Sequence, residues 1–144
     1  MRLLTAFILL TLLSSSASAE LPPTIHLKIS DHTLSAEVAY KKKSRIKGLM
    51  YRNSMEKHSG MLFVFPEASI HSMWMINTYI PLSIAFLDKD GIILNIIDMS
   101  PHTRTKNSAA SKAKYALEMN LGWFSSRNIK AGKKVTGLEK APNA

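Results

Sequence analysis

The sequence predicts a small α+β domain, mainly antiparallel β, closed into a barrel or curled into one sheet, with one or two short helices. Three observations carry that prediction. Several short runs alternate apolar and polar residues, the period-two signature of strands with one buried face. Turn-forming residues stand between those runs. Around residue 44 the apolar spacing changes to a helical one.

The elements follow in order. Thr24–Ile29 puts Ile25, Leu27 and Ile29 on one face, and Leu34–Tyr40 repeats the pattern after a turn at Ser30-Asp31-His32. From Ser44 to Arg52, Ile46, Leu49 and Met50 fall at i, i+3 and i+4, which predicts a short helix with Ser44 as its N-cap. A polar link, 53–59, leads into a strand at Met61–Phe65 that Pro66 ends. Further strands are expected at His71–Thr78, Leu82–Leu87 and Gly91–Asp98, the last two joined by the Asp88-Lys89-Asp90-Gly91 turn. Ser100–Lys114 lacks any period and reads as a mobile loop, a lid or a disordered stretch. Tyr115–Asn120 alternates again, with Leu117 inward opposite Glu118. A helical turn near Leu121–Ser126 and a strand near Lys133–Leu138 complete about eight strands.

The ends and the composition bound the function. Arg2, the apolar run Leu3–Leu13 and Ala17-Ser18-Ala19 form the three regions of an export signal, so residues 1–19 are expected to be removed and 20–144 to form a single domain. The apolar run falls short of the ~20 residues that cross a bilayer. The expected location is the periplasm where the host has an outer membrane, and the medium otherwise, with no transmembrane span after cleavage. The chain has no cysteine, which excludes thiol catalysis, Cys-based zinc sites and lipid attachment through an N-terminal Cys. Its formal net charge of +9 favours anionic partners. The lysines at 41–43, 112, 114, 130, 133 and 134 are not interleaved with aromatics, so they read as a solvated face, and no nucleic-acid module is expected.

Several segments together resemble the domain of unknown function 192 family. They are the Arg45-Ile46-Lys47-Gly48-Leu49-Met50-Tyr51-Arg52 run, Gly60–Phe65, Trp74–Leu82, Phe86–Gly91 and Leu117-Glu118-Met119. The resemblance spans nearly all of 20–144 and implies a compact, barrel-like α+β fold, with no established reaction. Two positions depart from the family pattern: Ser83 stands where an acidic residue is usual, and Lys133 follows Gly132 where aspartate is common. Both departures remove negative charge from any function that those acids serve.

The residues offer three constellations. Arg45, Gly48 and Arg52 would lie near one line of the predicted helix, the arginines about 10 Å apart at 1.5 Å rise per residue. With a bare glycine between them they suit an anion; the alternative is a structural pair in which one arginine bonds Glu118. On the predicted strand 71–78, His71, Met73 and Met75 share a face and could serve as soft ligands for Cu(I), against the plainer reading of Met and Trp74 as core. Asn77 and Thr78 are polar among apolar neighbours, and either staple the turn into Ile80-Pro81 or line a pocket. The five histidines show no metal-ligand spacing, and no serine sits in a nucleophile elbow.

The expectation is therefore an exported, monomeric binding module, leaning away from an enzyme, with no cofactor. Its ligand would be an anionic or polar small molecule, a glycan or an envelope protein. The ligand-binding residues would be Arg45, Gly48, Arg52, Trp74, Met75, Asn77, Thr78 and Glu118. A periplasmic Cu(I)-handling protein using His71, Met73 and Met75, and an enzyme of unknown reaction, stand as alternatives.

Overall fold

Thr24–Ile29 (β1) and His32–Ala39 (β2) form the hairpin that their alternation predicts, with Ile29 opposite His32 and Ser30 in the left-handed region that the tight turn requires. The computed structural model describes residues 20–144, so the export signal expected over 1–19 lies outside the described residues. After β2 comes one six-residue helix, Lys42–Lys47 (α1). The remaining strands are Ser59–Ser69 (β3), Ser72–Met73 (β4), Leu82–Leu87 (β5), Ile93–Met99 (β6), Asn107–Ser108 (β7), Ala113–Asn120 (β8) and Val135–Thr136 (β9).

Seven strands make one sheet in the order β6-β5-β8-β3-β2-β1-β9, while β4 and β7 pair separately. Neighbours run antiparallel except β2 and β3, which are parallel. A parallel pair needs a crossover, and α1 lies in it. The sheet curls until its two edges meet. Ile92 bridges Lys134, the Ile93 N–H donates to the Lys133 carbonyl at 2.9 Å, and the Val135 N–H donates to the Gly91 carbonyl at 2.8 Å. The result is the small, mainly antiparallel α+β fold with a curled sheet and one short helix that the sequence predicts.

Two apolar cores result, one on each face of the sheet. The inner one gathers the inward residues of β1 and β2 with Leu62, Val64, Leu117, Met119 and the closing Trp123, Phe124 and Ile129. The outer one holds Met61, Phe63 and Phe65 of β3 with Leu82, Ile84 and Phe86 of β5, covered by Leu49, Met75, Ile80 and Ala109. This explains why Gly60–Phe65 and Leu82–Leu87 are buried at every position: both faces of the central strands are covered.

Four expectations need correction. The helix starts at Lys42 with Lys41 as N-cap, not at Ser44. The Ser44 hydroxyl accepts from the Lys41 N–H at 3.1 Å and donates to the Lys41 carbonyl at 2.8 Å. It also ends earlier, because Gly48 adopts φ 47° and Tyr51 φ 67°, so Arg52 lies beyond the helix and off the line of Arg45. β3 runs on through Pro66 to Ser69, which is possible because pairing with β8 is irregular between Val64 and Ser69 and leaves no ladder bond for the missing N–H. The strand expected over 71–78 is only Ser72–Met73, since Asn77 at φ 52° turns the chain.

The long polar loop is fastened rather than a lid. β7 pairs β4, Ala109 is buried, and the Asn95 side chain donates to the Ser108 carbonyl and accepts from the Ala110 N–H.

Candidate functional site

Strand β8 sends Leu117 and Met119 into the inner core and Ala116 and Glu118 to the outer face. Glu118 is thereby set at the middle of that face, in register with Met61 of β3 and Ile84 of β5. A cavity of about 260 Å³ opens over it, between α1 with its following turn and the segment 72–78. Leu49, Phe63, Phe65 and Thr78 are buried parts of its wall, while Lys42, Ile46, Lys47 and Trp74 are exposed and mark its mouth.

Glu118 is 4% exposed, and burial alone pushes its carboxyl up to about 8, with no hydrogen bond or charge of the described residues opposing that shift. No side-chain polar atom sealed from solvent lacks a partner among the described residues. The unpartnered carboxyl oxygens therefore keep their solvent contact through the cavity. At neutral pH the group is mainly protonated, and a protonated carboxyl presents a donor and an acceptor side by side.

The arginines divide. Arg45 lines the cavity; its Nη1 donates to the Val64 carbonyl at 3.1 Å and to the Tyr40 carbonyl. Arg52 does not line it. Its guanidinium makes a two-point pair with Glu37 of β2 at 2.6 and 2.7 Å, tying the turn after α1 to the sheet. That pair holds the Glu37 carboxyl below its usual value, the Arg52 hydrogen bond being the largest cause. A structural pair between an arginine and a strand glutamate thus exists, but with Glu37 as the acid instead of Glu118. Gly48 lines the cavity too, and what approaches it is the Phe63 ring: an added Cβ would stand 3.2 Å from Phe63 Cζ.

The segment 74–78 has a similar split. Trp74 and Thr78 line the cavity, and the Thr78 hydroxyl donates to the Ile76 carbonyl at 3.1 Å. Met75 is fully buried in the outer core and anchored through its N–H to the Thr103 carbonyl. Asn77 is an exposed staple, though not of the Ile80-Pro81 turn. Its Nδ2 donates to the Tyr51 hydroxyl at 3.0 Å, and its carbonyl accepts from the Tyr51 N–H at 2.9 Å. Tyr51, Asn77 and His102 all have positive φ at this corner, a strain of about 1 kcal/mol or more each for residues other than glycine. The cross-bonds and the Thr78 carbonyl's bond from the His102 N–H hold that corner in place.

The copper alternative loses its geometry with the strand. His71 stacks on Phe65 at 3.7 Å between ring centroids, its Nε2 lies 3.0 Å from the Glu67 carbonyl, and Met75 is sealed in the core. The described residues contain no group of three or more His, Asp or Glu able to hold a metal ion.

Sequence reasoning missed Lys42, Lys47, Phe63 and Phe65 as parts of the wall. The phase of β3 held the signal for the phenylalanines, since Met61, Phe63 and Phe65 share the face of Glu118 in the paired register.

The DUF192 family, described as Uncharacterized ACR, COG1430, matches residues 25–137. The chain belongs to the DUF192 family. Comparison with curated proteins gives no match. Among solved structures, a Sinorhizobium meliloti protein, provisionally described as a transcription regulator, is 32% identical with a TM-score of 0.80, covering 83% of this chain and 98% of its own. A Novosphingobium aromaticivorans protein of unknown function is 31% identical with a TM-score of 0.75, covering 78% of this chain and 84% of its own.

Within a DUF192 chain, the two departures have structural readings. The Ser83 hydroxyl donates to Asp98 Oδ1 at 2.6 Å and accepts from the Gly122 N–H at 2.9 Å, so a serine and an acid of the neighbouring strand together clamp the turn after β8. At Lys133 the edge closure uses only the backbone carbonyl, which leaves the exposed side chain free to vary.

Proposed function

We propose that this DUF192 protein is an exported binding module whose outer-face cavity takes a small anionic ligand. The observation that carries the reading is the juxtaposition in one cavity of an unpartnered, buried Glu118 carboxyl and the cations Lys42, Arg45 and Lys47. Glu118 turns its free hydrogen-bonding positions to the cavity, and a ligand that bonds them replaces the water they otherwise meet. Apolar walls exclude water, and cations at the mouth attract and orient an anion. Arg45, Gly48, Trp74, Thr78 and Glu118 form the contact set. Arg52, Met75 and Asn77 support it from behind, by holding the turn after α1 and the segment 74–78 in place.

The test is native mass spectrometry of residues 20–144 recovered from the exported fraction of the host. A bound mass of a few hundred daltons, lost in a Glu118→Leu, Arg45→Ala variant that remains folded, is expected. A chain that carries no ligand and gains none from a panel of small organic anions overturns the reading.

One observation favours a second reading. A carboxyl raised to about 8 in a cavity is poised as a general acid, which is the property an enzyme site needs. Turnover of a captured ligand, abolished by Glu118→Gln while binding persists, would move the protein into that class.

A further inference from the structure

Resting on the binding reading above, we propose that the cavity selects organic acids that carry a neutral amide or lactam at the end opposite their anion. The amide pairs with Glu118 at the floor, and the anion lies at the Lys42–Arg45–Lys47 mouth.

The geometry separates the two ends. The buried part of the cavity holds Glu118, Leu49, Phe63, Phe65 and Thr78, while every cation lining it belongs to α1. A ligand anion at the floor would give up water among apolar residues beside a carboxyl; at the mouth it meets Lys42 and Lys47 directly, with the half-buried Arg45 in the adjoining wall. The space amounts to about 260 Å³. That suits one ring with two substituents. Ile46 and Trp74, 64% and 52% exposed, add apolar surface where the body of such a molecule would emerge.

The floor chooses the neutral group. A protonated carboxyl offers an O–H donor beside a C=O acceptor, and an amide is its complement, accepting the O–H and returning an N–H. The Thr78 hydroxyl already donates to Ile76, so toward the cavity it can only accept, which again suits an N–H. A hydroxyl accepts and donates from a single atom and so spans the two carboxyl oxygens less well than an amide's separate C=O and N–H; an ether meets one demand and an alkyl group none. Recognition of this kind discriminates strongly, because the wrong ligand leaves buried polar groups unpaired.

The same argument makes binding sensitive to pH. Facing Glu118 are Met61 from β3 and Ile84 from β5, neither of which titrates. Ser72, Trp74 and Thr78 line the far wall without an ionisable group, and the cations facing the cavity from α1 are Lys42, Arg45 and Lys47. Glu118 is thus the one group whose ionisation changes the floor between pH 6 and 9. Losing its proton removes the donor and sets an anion opposite the ligand's amide oxygen.

Isothermal titration with three probes tests this. They are 4-carbamoylbenzoate, 4-isopropylbenzoate (same shape and anion, no amide) and terephthalamide (amide, no anion). At pH 6.5 the carbamoyl acid is expected to bind at least tenfold tighter than either control, and at pH 9 its advantage over the isopropyl acid should fall at least threefold. Glu118→Gln, which keeps a neutral donor and acceptor, should retain the preference at both pH values; Glu118→Leu should lose it at both. Equal binding of the two acids at pH 6.5, or a preference surviving in a folded Glu118→Leu variant, overturns the amide assignment while leaving the anion site standing. Failure of all three probes together with small organic anions in general overturns the binding reading, and this assignment with it.

Discussion

Leu117 and Glu118 are neighbours on one strand, yet they face environments of opposite character. Inward, Leu117 and Met119 join a continuous apolar core closed by Trp123, Phe124 and Ile129. Outward, Glu118 lies in a second core interrupted by a cavity, beside a corner with three non-glycine residues in left-handed backbone. The inner face is closed by apolar side chains; the outer face departs from that twice, with an acid that has no protein partner at its middle and a cavity that opens over it. Such departures persist where something other than stability is selected. The contrast teaches that one sheet can divide its labour by face, with a closed core on the inside and the proposed recognition site on the outside.

Breaking the inner face should have the largest effect. Phe124→Ala empties a site that is fully buried and is expected to lose about 3–5 kcal/mol in urea unfolding. Ligand affinity of the molecules that remain folded should change little, and a comparable loss of affinity would mean that the two faces are not independent.

The outer face should respond with the opposite sign. Glu118 titrates near 8 in the folded chain against an ordinary 4.5, so the unfolded chain releases its proton first. Stability from this group therefore declines as pH rises from about 4.5 to about 8 and is level on either side. Glu118→Gln should stabilise the protein at pH 7 by up to roughly 3 kcal/mol and flatten that part of the pH profile. An unchanged slope in the variant would show that the buried acid is not its source.

The smallest effect sharpens the boundary between site and support. Arg52→Ala removes the pair with Glu37, whose side chains are about one-third exposed, so after discounting for solvent the cost should be about 1 kcal/mol. The Glu37 carboxyl lies below its ordinary 4.5 in the folded chain, so the pair stabilises above that value, and its contribution is lost as pH falls through the folded pKa. Thermal melts of the two proteins should converge in that acid range. A gap that stays constant there would assign the loss to packing of the arginine stem.

Much of the fold was legible because alternation is a local property. Ile25, Leu27 and Ile29, or Leu34, Ala36 and Val38, declare their face within a few residues. The site was less legible, for two physical reasons. The spacing of Arg45 and Arg52 predicts a shared helical line, but positive φ at Gly48 and Tyr51 stops the helix first, and that conformation is fixed by Phe63 and Asn77 across the structure. Glu118 could be placed opposite Leu117, yet its lack of an arginine partner could not be read, because which arginine reaches which acid depends on strand order. The parallel pairing of β2 and β3 was likewise invisible, since nothing in either strand's pattern encodes its neighbour's direction.

That strand order has a kinetic consequence. β9, at 135–136, pairs β1, at 24–29, and the closing bridge joins Ile92 to Lys134. The outer edge of β1 therefore stays uncovered until β9, far downstream in the sequence, has been made. Sheets built on such distant partners fold slowly, in milliseconds to seconds rather than microseconds. Until Val135 arrives the nascent chain carries two open strand edges, each a template for misplaced pairing with another copy. A chain that stops short of Val135 would be expected to aggregate rather than to form a slightly smaller version of the same fold.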